Sequence, residues 1–228
     1  MARIICFDIE TTGFEYESGA KIIEIAAIEI LDGVLGEKSY HQYINPECQI
    51  SIDSYKVHKI SNEFVADKPN FAKIAQEFLD FIGPNCTIVA HNGKGFDFPF
   101  INYQLSEIGL PKIEPNRQED TMLMAQRKIA TLKSYSLDAL AKYFNISLET
   151  RADGHGALID TEILAKIYLE LAQKSDEKTV IEIAHEQHAA FLATPKVPVG
   201  CFPTREFPPT ADELATHAEW VDKNIKKT

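Results

Sequence analysis

Two carboxylates near the amino terminus, Asp8 and Glu10 in Cys6-Phe7-Asp8-Ile9-Glu10-Thr11-Thr12-Gly13, are the first residues of this 228-residue sequence whose spacing suits chemistry. Residues 3–9 have the pattern of a short buried strand. Ile5, Phe7 and Ile9 alternate on one face, and Cys6, Asp8 and Glu10 fall on the other. Positions i and i+2 of a strand stand roughly 7 Å apart, at about 3.3 Å rise per residue. Both side chains therefore converge on one or two hard cations, and ligation by oxygen alone suits Mg²⁺ or Mn²⁺ better than zinc. A strand end with two solvated acids before a Thr-Thr-Gly turn has the same residues, so the rest of the chain has to decide.

The elements that position these acids are legible in outline. Residues 22–31 form a β-branched run, Asp32-Gly33 is a hairpin turn signal, and a returning strand runs through residues 40–44. Three antiparallel strands are thus expected first, with Asp8 and Glu10 at the end of the leading one. Val57-His58-Lys59-Ile60-Ser61 reads as a short helical corner. Asn70 is expected to cap a helix whose Phe71, Ile74, Ala75, Phe78 and Ile82 share a face, stopped by Gly83-Pro84. Residues 86–90 read as a buried strand that runs into His91-Asn92-Gly93-Lys94-Gly95-Phe96-Asp97. Helices are expected over 98–108, from Asp120-Thr121, and from Ser136 through Phe144. The strongest follows His155-Gly156-Ala157, with Ile159, Ile163, Leu164, Ile167 and Leu171 as its apolar face. Strands first, then helices alternating with further strands, predict an α/β fold with a mixed sheet flanked by helices.

Past Asp176 the character changes. Residues 176–194 have roughly helical spacing, residues 195–209 hold five of the eleven prolines and read as an extended linker, and a last helix is expected from Thr210 to about Lys226. The expected organisation is a domain over residues 1–175, a helical segment and proline-rich linker over 176–209, and a partner-binding helix over 210–228. Thr210-Ala211-Asp212-Glu213 is a capping box. In the helix it starts, Ala211, Leu214, Ala218, Val221 and Ile225 share a stripe, and Trp220, the only tryptophan, falls roughly 140° away at 100° per residue. Apolar groups on two sides of a tethered helix point to a binding partner, with Leu214, Ala218, Trp220 and Val221 as contacts, the alternative being a helix that folds back on the preceding domain.

Composition narrows the classes. With 45% hydrophobic and 25% charged residues the chain has ample core material. A net charge of −11 argues against broad electrostatic capture of nucleic acid, though not against nuclease chemistry in which metal ions offset the carboxylates. The four cysteines show no metal-ligand spacing, and neither a signal peptide nor an apolar run of about 18 residues opens the chain. The expected compartment is the reducing cytoplasm.

Asp8, Glu10, Asp97, His155 and Asp160 form a set. With Val57-His58-Lys59-Ile60, Asp67-Lys68-Pro69, His91-Asn92…Phe96-Asp97, Asp120-Thr121, Ser136-Leu137-Asp138-Ala139-Leu140 and His155-Gly156-Ala157-Leu158-Ile159-Asp160, the chain resembles the DEDDh family of 3′→5′ exonucleases over residues 4–172. Within it, the likeness is greatest to the epsilon-type proofreading subunits of bacterial replicative polymerases. The resemblance implies a ribonuclease H-like fold, two divalent metals per site (Mg²⁺ or Mn²⁺), and hydrolysis of the 3′-terminal phosphodiester to release nucleoside 5′-monophosphates.

It implies Asp8 as the ligand bridging both metals, Asp160 and Glu10 completing the water-activating site, Asp97 at the second metal and His155 as general base. It also makes Glu10 a holder of the terminal 3′-hydroxyl. Thr11, Thr12, Phe14, His58, Asn92 and Phe96 are expected to contact the terminal nucleotides of single-stranded or frayed DNA, and the polymerase catalytic subunit is expected as partner of the last helix. One spacing departs from the epsilon pattern: His91 to Asp97 is six steps rather than five, because of Gly93-Lys94-Gly95. Two other readings share the motifs: a free-standing enzyme for DNA repair or RNA 3′-end trimming, and an inactive scaffold, which would have no use for all five residues.

Overall fold

A computed structural model describes residues 2–151, 156–175 and 210–224. The chain divides into one compact unit up to residue 182 and a second from residue 183. The first is built on a five-stranded sheet: β1 (Arg3–Thr11), β2 (Ile22–Leu31), β3 (Val34–Tyr43), β4 (Thr87–Ala90) and β5 (Gln118–Asp120), in the order β3-β2-β1-β4-β5. β2 pairs antiparallel with β1 and with β3, while β4 lies parallel to β1 and to β5. Asp32 and Gly33 both take positive φ (51° and 83°) between Leu31 and Val34, as a tight two-residue hairpin turn requires. β5 is absent from the sequence expectations, because three residues are too few to show a period.

Around the sheet stand α1 (Ile52–His58), α2 (Asn62–Val65), α3 (Phe71–Ile82), α4 (Asp97–Glu107), α5 (Thr121–Lys128), α6 (Leu137–Tyr143) and α7 (Ala157–Gln173). The alternation of β1 divides the core in two. Ile5, Phe7 and Ile9 join Phe71, Phe78, Phe98 and Ile101 beneath α3 and α4. Cys6 joins Met124, Leu140, Ile163, Ile167 and Leu171 beneath α5, α6 and α7. Asp8 and Glu10 continue the Cys6 face, which directs them to the α7 side.

One expected cap is corrected. Asn70 occupies the N-cap of α3, but its side chain caps nothing; its amide donates instead to Glu47 Oε1 at 3.3 Å. Ser136 does cap α6, accepting from the Ala139 amide at 3.3 Å.

In the second unit the described residues form one helix, α8 (Ala211–Asn224). Its capping box is made in both directions. The Glu213 amide donates to Thr210 Oγ1 at 3.3 Å, and the Thr210 amide donates to Glu213 Oε2 at 2.8 Å. Leu214 and Trp220 are more than half exposed (54% and 57%), Ala218 is exposed and Val221 is half-buried. The expected helix over 176–194 and the linker over 195–209 lie outside the described residues.

Candidate active site

The carboxylates converge from three elements. Asp8 and Glu10 come from β1, and Asp160 from the first turn of α7, where its amide donates to Gly156 O at 2.9 Å. One carboxylate oxygen from each of the three lies within 4.8 Å of the others. Around an octahedral cation with bonds near 2.1 Å, ligand oxygens stand about 3–4.2 Å apart, so the group needs only small side-chain movements to close on Mg²⁺ or Mn²⁺. Asp97, 3% exposed, enters as the first residue of α4, beyond the carboxyl end of β4. The register between β1 and β2 shifts between Glu10 and Thr11. Such a bulge ends the regular pleat immediately after the second acid and re-aims the chain that follows.

The electrostatics call for a cation. Burial, then the neighbouring Asp97, Glu10, Asp160 and Glu24, hold the Asp8 carboxyl well above the usual range. Burial, then Glu24, Asp160 and Asp97, push Glu10 up to about 8, with Arg151 opposing. Asp97 rises to about 7, chiefly through burial and with a contribution from Asp120, while the amides of Asp97 and Ile9 pull it down. A divalent ion among these carboxylates would offset the repulsion and let them ionise at neutral pH.

Asp97 owes its place to a tight loop. Asn92 takes the left-handed conformation (φ 56°) and Phe98 donates to Gly93 O at 2.9 Å. A Cβ on Gly93 would stand 2.4 Å from Ala90 Cβ and 2.9 Å from the Phe98 ring, so only glycine fits. Asp120 pins the same loop. Its carboxylate caps α5 through the Met122 amide (2.9 Å) and accepts from the amides of Asn92 (3.1 Å) and Lys94 (3.1 Å). The Asp120-Thr121 motif is thus a brace for Asp97, and Thr121 adds a 2.9 Å contact to His91 Nδ1.

Two groups around the site escape a reading of the sequence alone. Glu24, only 2% exposed, lies directly across the β1–β2 ladder from Glu10. It accepts the Ala157 amide on Oε2 (3.1 Å) and meets His41 Nε2 with Oε1 (2.7 Å). A glutamate inside a β-branched run carries no local sign of such a task. Arg151 forks onto Asp160, Nε to Oδ1 and Nη2 to Oδ2, both at 2.7 Å, and also pairs with Asp138. Asp138, a motif residue to which the sequence assigns no role, holds the arginine that orients Asp160.

The other expected site residues lie among the described residues with one exception. Thr11 and Thr12 are buried. Thr11 Oγ1 donates to Gly13 O at 2.7 Å, Thr12 Oγ1 accepts from the Lys21 amide at 3.0 Å, and the Thr12 amide donates to Lys21 O at 2.9 Å. Their polar groups therefore build the turn. Phe14, 73% exposed, meets the half-buried Phe96 edge-on at 6.1 Å, and Phe96 packs in turn on Phe100. His58 is buried behind Thr11, its Nδ1 accepting from the Ile60 amide at 3.0 Å, and burial lowers its pKa. Asn92 is exposed at the loop. His155 lies outside the described residues.

Comparison with known proteins places this geometry. Residues 5–168 match the RNase T exonuclease family. The DNA polymerase III subunit epsilon of Rickettsia prowazekii is 38% identical over 97% of this chain and 96% of its own length. That of Escherichia coli K12 is 37% identical over 74% of this chain and 71% of its own. Among solved structures, exonuclease X in complex with 5′ overhanging duplex DNA superposes with a TM-score of 0.56 at 26% identity, covering 74% of this chain and 90% of that one.

Proposed function

The chain belongs to the RNase T exonuclease family and is a 3′→5′ exonuclease, and we propose that it is the proofreading subunit of a replicative DNA polymerase, hydrolysing 3′-terminal nucleotides from DNA at Asp8, Glu10, Asp97 and Asp160. The observation that carries the site is the convergence of Asp8, Glu10 and Asp160 within 4.8 Å. One or two Mg²⁺ or Mn²⁺ ions held there would activate water and offset charge on the attacking and leaving oxygens. Asp8, on the central strand between β2 and β4, would hold the ions together with Glu10 and Asp160, and Asp97 from α4 would complete the set. His155 takes the proton from the water at its imidazole, a task suited to a group that titrates near neutral pH. Glu10 also holds the terminal 3′-hydroxyl, and the exposed Phe14 ring beside Phe96 gives the terminal base a stacking surface without reading its sequence.

The Rickettsia prowazekii epsilon subunit matches over 97% of this chain, beyond the nuclease domain, which supports the polymerase as partner. We assign the contact to α8, through Leu214, Ala218, Trp220 and Val221. The test of substrate class is turnover of 3′-labelled mismatched DNA against single-stranded RNA, each with and without Mg²⁺. Mg²⁺-dependent release of 5′-mononucleotides from the mismatched DNA, faster than from RNA, is the expected result. Faster turnover of RNA would overturn the proofreading assignment in favour of an RNA-trimming enzyme.

A further inference from the structure

We infer that Glu24 is a positioning residue for the hydrolytic site: from β2 it supplies the cap that fixes where α7 begins, and with it where Asp160 stands. The inference rests on the four-carboxylate site proposed above and extends it to a residue outside that set.

The amino end of any helix leaves amides without intrahelical acceptors. At α7 the N-cap residue is Gly156, which has no side chain to offer and makes no side-chain cap. The acceptor comes instead from a strand 133 residues earlier: Glu24 Oε2 takes the amide of Ala157, the first residue of the helix, at 3.1 Å. The second oxygen is fixed as well, by His41 Nε2 at 2.7 Å on β3, the strand whose Tyr43 stands directly across the ladder from Glu24. Glu24 therefore cannot swing without breaking contacts to two elements.

Its place in the ladder gives this cap a consequence for the chemistry. Glu24 faces Glu10 directly across β1 and β2, so the start of α7 is referenced to the strand that carries two of the four acids. Asp160 follows Ala157 by three residues, and its amide closes the first turn on Gly156 O at 2.9 Å. His155 immediately precedes the capped turn in the chain. Apolar packing would fill this space at lower electrostatic cost than a fifth buried acid beside the other four. What packing does not provide is an acceptor for the Ala157 amide held at one register.

The experiment separates geometry from charge in the full-length protein. Glu24→Gln keeps an oxygen for the Ala157 amide and an NH₂ for neutral His41, but removes the charge. Glu24→Asp keeps the charge and withdraws the oxygens by one methylene. Both are assayed for kcat and KM on a 3′-labelled single strand with Mn²⁺, alongside thermal melting and Asp160→Ala as reference. Misplacing catalytic groups by about 1 Å costs up to roughly 100-fold in rate. The expected result is that Glu24→Asp lowers kcat about 10-fold or more with KM held within about 3-fold, while Glu24→Gln stays within about 3-fold of wild type. A Glu24→Asp enzyme with wild-type kcat overturns the inference, and so does Glu24→Gln as impaired as Glu24→Asp. Parallel losses of kcat and melting temperature in both variants overturn it too, by reducing Glu24 to a packing residue. An active Asp160→Ala protein would instead overturn the site assignment itself.

Discussion

At the scale of single residues, four clustered acids, Asp97 and Asp160 buried and Asp8 and Glu10 half-buried, make the metal-free protein sensitive to pH in a definite direction. Glu10 near 8 and Asp97 near 7 hold protons in the folded state that their unfolded counterparts release near pH 4–4.5. The folded state thus binds more protons between about pH 4 and 8, so its stability falls as pH rises through that window. Melting curves in chelator should shift to lower temperature from pH 5 to pH 8, and Mn²⁺ should reverse the shift at pH 8; a flat profile would contradict the shared burial of these acids. His155→Ala should lose about 10²–10⁴-fold in rate yet titrate with Mn²⁺ in a calorimeter as wild type does, because a general base is not a ligand. A collapse of Mn²⁺ affinity would make His155 a ligand. Asp8 and Glu10 were picked out in the sequence by strand alternation, whereas Asp97 and Asp160 entered only through the resemblance of their motifs to the DEDDh exonucleases. Glu24 was not legible, since its partner amide is 133 residues away. Nor was the pairing of Asp138 on α6 with Arg151, which lies on a short 3₁₀ turn between α6 and α7.

At the scale of elements, the site is the meeting of a strand end, a loop and two helix starts. The strands and long helices were legible because their apolar periods run for a dozen residues or so, as in α3 with Phe71, Ile74, Ala75, Phe78 and Ile82 buried on one face. What local pattern does not carry is register: the bulge after Glu10, the three-residue β5, and the hold of Asp120 on the loop before Asp97 all depend on neighbours distant in sequence. The loop is the part most open to test. Gly93→Ala introduces a methyl 2.4 Å from Ala90 Cβ. Overpacking of this kind costs about 1–3 kcal/mol. Urea unfolding of Gly93→Ala should show that loss, and its exonuclease rate should fall because α4 and Asp97 move with the loop. Unchanged stability would mean the loop accommodates a side chain and is not a fixed mount for Asp97.

At the scale of the whole molecule, an acidic chain that carries nuclease chemistry needs help to stay on its substrate. A net charge of −11 argues against broad electrostatic capture of nucleic acid. Tethering to a polymerase would supply that help, and α8, with Leu214 and Trp220 more than half exposed, is the proposed tether. A chain ending at Lys174 should keep its activity on short single strands and no longer co-elute with the polymerase catalytic subunit; retained co-elution would move the interface to the nuclease domain. Trp220→Ala alone should weaken the complex by about 2 kcal/mol or more if the indole is its anchor. The central claim is that the cluster of Asp8, Glu10, Asp97 and Asp160 is catalytic rather than structural, and the most direct measurement pairs activity with stability in Asp8→Ala and Asp160→Ala. Removing either acid should abolish release of nucleotides from a 3′-labelled strand. In chelator Asp8→Ala should melt no lower than wild type, because its deletion relieves repulsion among the remaining carboxylates, whereas Asp160→Ala also breaks the buried pair with Arg151 and is read by activity alone. Retained hydrolysis in either variant, or a melting temperature of Asp8→Ala well below wild type in the absence of metal, would contradict it.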